Sequence, residues 1–330
     1  MRPARSKVAR LPVKRGLTLP RRLSLVVAVL TAAASTAGLV LGPAGLYGTD
    51  PKRALGVTEG EAGLLLPGFL GQDVFNLVVA LPLLLGTMWL AQRGSLAGLL
   101  LWPGALFYVL YWYVLYLIGA PFSVLFLLYV PLVTLSACAI IALVSSIDDE
   151  EVRRRLAGAV PARIIGGILV ALALLTIAQD GSGAFVTALG ENAPIDPVAR
   201  HVWIADLALQ APAVLAGGVL LWRREALGYV AGAGLLLQYG LSVVGFVASM
   251  ALRAVLTASS LDMVALVILL VFGVICFVPL ASFVRAAMIG DANSRSAVVV
   301  GASNEPVEPV VKGAEAADLA VQSQPHRELE

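Results

Sequence analysis

The chain has 330 residues, of which 59% are hydrophobic and 13% charged, with mean hydropathy +0.90 and formal net charge +2. Soluble domains carry about 25% charged residues, so this composition excludes an ordinary soluble domain, and no nucleic-acid partner is expected. Strand-type alternation is absent, which excludes a membrane barrel as well. The predicted class is all-α: a polytopic bundle of about eight transmembrane helices.

Residues 1–22 hold eight Lys or Arg and no acid. They read as a basic cytoplasmic tail that touches anionic lipid headgroups. Apolar segments follow at about 23–42, 64–91, 95–118, 121–146, 164–179, 201–222, 227–250 and 263–287. Each reaches or approaches the roughly 20 residues that cross a ~30 Å hydrocarbon core. The first, behind its basic flank, also fits a signal peptide cleaved near Gly42, but its length favours a retained span. Residues 147–163 form a cytoplasmic loop in which Asp148, Asp149, Glu150 and Glu151 precede three arginines as paired helical charges. Residues 288–330 lose the apolar runs and gain Ser, Pro, Glu and Gln, and are expected to be a disordered cytoplasmic tail.

Lys and Arg set the orientation. With both termini inside, nineteen of the 23 cations fall on the cytoplasmic side, and Lys52, Arg53, Arg200 and Arg253 fall outside. The expected location is therefore the plasma membrane, multi-pass, with both termini cytoplasmic. Cys138 and Cys276 sit in apolar runs without a CxxC motif and read as buried small residues.

An internal repeat is expected over residues 23–146 and 164–287, as two parallel four-helix units. Asp73 precedes Trp89 by the same interval as Asp206 precedes Trp222. Arg93 matches Arg223 or Arg224, and Gly94-x-x-x-Gly98 matches Gly228-x-x-x-Gly232, so the register set by the aspartates slips by one position across the turn. Asp50-Pro51 and Asp196-Pro197 echo each other in the long outer loops. In this register Pro82 aligns with Leu215 rather than with Pro212.

The polar residues inside the spans are the candidate site. Gln72, Asp73 and Asn76 lie within one arc of roughly 100°, and Thr87 falls on it too. Such a stripe faces the bundle interior. Tyr108 and Tyr111 lie level with Asp73, whereas Tyr113 and Tyr116 read as an aromatic belt. Asp206, Gln210, Gln238 and Tyr239 provide polar groups in the second half. Together Asp73, Asn76, Tyr108, Tyr111, Asp206, Gln210, Gln238 and Tyr239 would wall an outward-opening vestibule, with Asp73 directed at Tyr108 or Tyr111. The other reading is hydrogen bonding between helices.

No P-loop, HExxH, GxSxG or paired-His spacing occurs, and neither cofactor nor metal is expected. Three functions stay open: a permease for a small polar or cationic solute, a scaffold, assembly factor or sensor without chemistry, and an enzyme acting on a lipid.

The stretch QDVFNLVVALPLLLGTMWLAQRGSLAGLLLWPGALFYVLYWYVLYLIGAPFSVLFLLYV, and more loosely DLALQAPAVLAGGVLLWRREALGYV, is similar to a group of uncharacterised bacterial multi-pass membrane proteins. The resemblance implies a bundle of eight or so helices and no known activity, so it carries no site residues with it.

Overall fold

In the computed structural model, the described residues are 11–47, 59–120, 122–190, 197–257 and 260–303. They form helices, and no strand occurs among them. We number the helices α1 (Thr18–Tyr47), α2 (Glu59–Phe75, continuing through a π-helical turn Asn76–Ala80 into Leu81–Gln92), α3 (Leu96–Gly119) and α4 (Phe126–Ser146). The short α5 (Asp149–Leu156) leads to α6 (Ala162–Leu189). Then come α7 (Pro197–Ala205, π turn Asp206–Gln210, Ala211–Trp222), α8 (Ala226–Thr257) and α9 (Met263–Ser303). Eight of these are long and apolar enough to cross a membrane, α5 being the exception. The chain is an integral, multi-pass membrane protein.

Two spans differ from their predicted bounds. Hydropathy ends the fifth at residue 179, yet α6 continues to Leu189. Asp180 does not stop it because its side chain is buried. Gly183 acts as a point of close approach, since a Cβ there would lie 2.7 Å from the Trp203 ring. Composition predicts that the eighth span gives way to disorder at residue 288. Instead α9 runs unbroken to Ser303, and Asp291 accepts a hydrogen bond from the Leu96 backbone N–H at 2.9 Å, capping α3. Asp50, Pro51 and Asp196, and the tail beyond residue 303, lie outside the described residues.

α3 and α8 form the centre. Most of α3 is buried, whereas α9 leaves most of its apolar surface outward. In lipid no hydrophobic force drives helices together, so small residues that admit close backbone approach govern packing. Gly104 of α3 meets Gly234 of α8, where a Cβ on Gly104 would collide with the Gly234 carbonyl oxygen.

The two π turns have one physical cause. Pro82 and Pro212 lack an N–H, so the carbonyls four residues earlier, Val78 and Ala208, lose their helical donors. Each lies within its π turn, and the ladder widens: the Leu81 N–H bonds to the Asn76 carbonyl and the Ala211 N–H to the Asp206 carbonyl, five residues back. Further features recur at the spacing from Asn76 to Asp206. Arg93 and Arg223 end their helices, and Gly94 and Arg224 both take positive φ, at 85° and 60°. A Cβ on Gly98 would strike the backbone at Leu90 and Ala91, and one on Gly228 the backbone at Leu220 and Leu221. The spacing carried by backbone geometry is thus shorter than the one from Asp73 to Asp206 that the sequence pattern suggests. It sets Pro82 opposite Pro212, and Asn76, not Asp73, opposite Asp206.

One end of the bundle gathers the α2–α3 and α7–α8 turns, α5 and the segment before α1. Lys14 N–H bonds to the Ser146 carbonyl and Asp148 N–H to the Pro12 carbonyl, while the Lys14 ammonium pairs with Asp149. α5 carries the expected paired charges, Arg153–Glu150 at 2.7 Å and Arg155–Glu151 at 2.8 Å. It is also docked, with Val152 and Leu156 fully buried. Of the cysteines, Cys276 is buried as expected and Cys138 is exposed, because only one of them turns toward the helical core.

Candidate functional site

The intramembrane polar residues separate into two buried clusters, one in each half. In the first, α2 supplies Gln72, Asp73 and Asn76. Asp73 accepts from the Tyr116 hydroxyl at 2.9 Å, and Tyr116 is also within reach of the Phe69 carbonyl at 3.1 Å. The other Asp73 carboxylate oxygen lies against Gly38 of α1, in space that a Cβ would occupy. Gln72 donates to Asn76 at 2.9 Å and to the Tyr108 hydroxyl at 2.5 Å. Asn76 reaches the Ser35 hydroxyl at 3.4 Å, and Ser35 shares a 3.2 Å bond with Tyr113.

The second cluster joins α6, α7 and α8, with one residue from α3. Asp206 accepts from the Tyr111 hydroxyl at 2.8 Å. Asp180 of α6, which packs on the π turn that Asp206 opens, is buried beside it. Thr176, one turn before Asp180, bonds Tyr239 at 2.5 Å. Gln238 donates to Gln210 at 2.6 Å and to Ser242 at 3.2 Å.

All eight candidate residues are buried. The structure brings Asp73, Asn76 and Tyr108 together in one cluster and Tyr111, Asp206, Gln210, Gln238 and Tyr239 in the other. The expected partner of Asp73 is corrected: it meets Tyr116, while Tyr111 turns to Asp206 and Tyr108 to Gln72. Tyr113 and Tyr116, assigned to an interfacial belt, are interior hydrogen-bonding groups, because α3 is enclosed by other helices and meets little lipid. Thr87 is buried but bonds the Leu84 carbonyl of its own helix. None of the eight lines the cavity of about 630 Å³ at the bundle end away from Arg93, which is lined by Phe69, Trp112, Phe246, Ser249 and other residues.

Sequence reasoning missed Asp180 and the α1 partners Thr31, Ser35 and Gly38. A signal for Asp180 was present: Thr176 and Asp180 stand four apart, as Thr31 and Ser35 do, so each pair shares a helix face. The apolar run ends at residue 179, one short of Asp180, which placed it outside the predicted span.

Tyr111, on the central helix α3, donates to Asp206, so a third helix reaches the place where the Asp180 and Asp206 side chains lie together. Among the described residues no three His, Cys, Asp or Glu side chains converge as a metal site. No family model matches the chain, no curated protein matches it, and no solved structure matches it.

Proposed function

We propose that the protein is a permease for protons or a small cation, with Asp180 and Asp206 as the groups that take and release the charge. The observation that carries this reading is the meeting of two carboxyl groups, on α6 and α7, inside membrane-spanning helices. Ionisable groups within spans are expensive, and they mark ion and proton pathways. Tyr111, reaching across from the first half, links the pair to the central helix α3. A proton shared between the two carboxyl groups could leave, and the two negative charges then side by side would be offset by another proton or by a monovalent cation, which is the elementary step of exchange.

The proposal includes two premises about origin and orientation. The two halves derive from one four-helix unit, a reading supported by the paired π turns, the recurrence at the Asn76-to-Asp206 spacing and the Gly104–Gly234 contact. Equivalent residues that touch lie on a pseudo-two-fold axis, as expected for parallel repeats in transporters. The end bearing Arg93 and Arg223 faces the cytoplasm of a plasma membrane by the positive-inside rule. Reporter fusions after Arg93 and Arg224 test the orientation.

The test of function uses purified full-length protein in liposomes loaded with a pH-sensitive dye, under imposed Na⁺ or K⁺ gradients. Cation-dependent proton movement is expected from the wild type and not from Asp206→Asn, which retains shape and the bond from Tyr111. Equal traces for wild type, Asp206→Asn and empty liposomes would sink the proposal. They would favour the second reading, a structural bundle, which rests on the bonding of Gln210, Gln238, Tyr239 and Asn76 to other protein side chains.

A further inference from the structure

A cavity of about 710 Å³ lies at the arginine end of the bundle, where α5, the turn into α6 and the first turn of α8 come together. Its volume is in the range of small-molecule sites. It shares no residue with either polar cluster, and its lining includes Arg153, Arg154, Arg163 and Arg224. The local sequence explains why these cations converge. α5 ends in three arginines, Gly158 turns the chain at φ 89°, and Arg163 falls in the first turn of α6. Gly166, one turn later, admits the backbone of α7, since a Cβ there would lie 2.5 Å from the Trp222 nitrogen. The first turn of α6 is thereby set against the α7–α8 turn that carries Arg224.

Arg153 and Arg154 pair with Glu150 and Glu151. Arg163 and Arg224 are exposed, and among the described residues neither has a carboxylate within salt-bridge distance. Tyr229 lines the cavity and is 2% exposed, yet its hydroxyl makes no hydrogen bond among the described residues. It is not one of the fully enclosed unpaired atoms, so a ligand can reach the oxygen. Hydroxyls on buried side chains nearly always have a partner in protein, water or ligand. The start of α6 adds a partial positive charge. Pro161 offers it no side-chain cap, and among the described residues the Arg163 N–H has no backbone acceptor. Two uncompensated guanidinium groups, an unpaired hydroxyl and an uncapped helix start together select a phosphate.

The cavity also borders lipid. Ile164 lines it and is 67% exposed, and Trp222, which ends α7, is 50% exposed. A tryptophan and arginines at the end of a span stand at the level of lipid headgroups. We propose that this cavity holds the phosphate of an anionic glycerophospholipid, paired with Arg163 and Arg224 and hydrogen-bonded by Tyr229, with its acyl chains leaving past Ile164. Basic pockets between spans suit such headgroups. A free phosphate satisfies the same donors but leaves the apolar rim unused. In the first half Gly94 stands where Arg224 stands here, so the matching turn presents no cation at that position. None of the site residues belongs to the basic tail or to the carboxyl pair, and the site stands whether or not the permease reading does.

The test measures lipid binding to the purified full-length protein in detergent by native mass spectrometry. The probes are dioleoylphosphatidic acid, dioleoylphosphatidylcholine and inorganic phosphate. Phosphatidic acid should bind more tightly than phosphatidylcholine by about tenfold or more. Arg163→Gln and Arg224→Gly should each weaken it about fivefold, the worth of one basic residue at a lipid surface, and together should abolish the preference. Arg224→Gly also relieves the backbone at φ 60°, so weaker binding there is not a folding defect. Tyr229→Phe keeps the ring and should weaken binding about fivefold, the worth of one hydrogen bond. Arg93→Gln, at the same end of the bundle but outside the cavity, should leave the affinity unchanged. Equal binding of the two lipids, a preference that survives the double variant, or an equal loss in Arg93→Gln would overturn the proposal. Inorganic phosphate that displaces phosphatidic acid at equal concentration would overturn the lipid as occupant. Binding indifferent to Tyr229→Phe would overturn the role given to the hydroxyl.

Discussion

The two polar clusters occupy comparable places beside the two π turns but are built from different chemistry. In the first half Asn76 meets Ser35, an amide and a hydroxyl that stay neutral at any physiological pH. In the second half Asp206 meets Asp180, two acids. The positions correspond, since Asn76 and Asp206 each open a π turn. Thr31 and Thr176 each precede the partner by one turn. The same backbone device therefore presents an amide on one side, with the acid Asp73 three residues earlier, and on the other an acid that lies beside a second acid. What distinguishes a structural hydrogen bond from a candidate charge carrier here is the side chain presented at the turn, not the turn itself.

The largest expected effect falls on the contact between the halves. Gly104→Leu would drive a side chain into the Gly234 backbone, destabilising the bundle by about 3 kcal/mol or more. At Gly86 a Cβ would meet nothing within 4 Å, so Gly86→Leu serves as the neutral control. Thermal unfolding monitored by size-exclusion chromatography in detergent separates the two outcomes. Equal tolerance at both positions would show that α3 and α8 do not depend on this approach.

The asymmetry of the clusters is tested by removing each centre. Asp206→Leu leaves Tyr111 and Asp180 without their partner and should destabilise by about 2 kcal/mol. Asn76→Leu leaves Gln72 bonded to Tyr108 and Ser35 to Tyr113, so the loss should stay near ~0.6 kcal/mol, the average for such bonds in membranes. Denaturation in mixed micelles measures both. A larger loss at Asn76 would reverse the roles assigned to the two sides.

The two turns at the arginine end offer a smaller contrast. Arg224 adopts φ 60°, where its counterpart Gly94 adopts 85° without a Cβ. Arg224→Gly should stabilise by about 1 kcal/mol and Gly94→Ala should destabilise by a similar amount, read as opposite shifts in melting temperature.

The smallest effect concerns the segment before α1. The bond from Lys14 holds the Asp149 carboxyl below its ordinary range, and the same bond raises the Lys14 ammonium. A depressed acid contributes above its unfolded value, about 3.9, and loses that contribution as pH falls through the lower folded value. A raised lysine contributes below about 10.4 and loses it as pH rises through the higher folded value. Docking should therefore be firmest between about pH 4 and 10. A spin label at Val13→Cys in a Cys138→Ala background should gain mobility outside that window. Water screens the pair, so Lys14→Ala should change overall stability little.

The eight spans were legible from hydropathy because a bilayer imposes the same requirement on every segment that crosses it. Arg93, Arg223 and the acidic run before Arg153 likewise marked the ends of helices correctly. The site was legible by residue type and not by partner. Asp73, Asn76, Tyr108, Tyr111, Asp206, Gln210, Gln238 and Tyr239 are all interior, but counting along an ideal helix directed Asp73 at Tyr108 or Tyr111 instead of Tyr116. Asp180 was lost because the apolar run ends one residue before it, while the helix itself continues to Leu189.

By itself the sequence determined the class, the number of spans and the alternation of their ends, since these follow from the length of each apolar run and from where cations interrupt it. Tertiary structure decided the register and the partners. Each π turn adds a residue to one turn of helix, and one residue amounts to about 100° of rotation. The faces on either side of Pro82 and Pro212 are thus turned relative to each other by an amount that regular periodicity does not contain. Close approach at Gly104 and Gly234 then sets which rotated faces meet, and with that Tyr116 reaches Asp73 while Tyr111 crosses to Asp206.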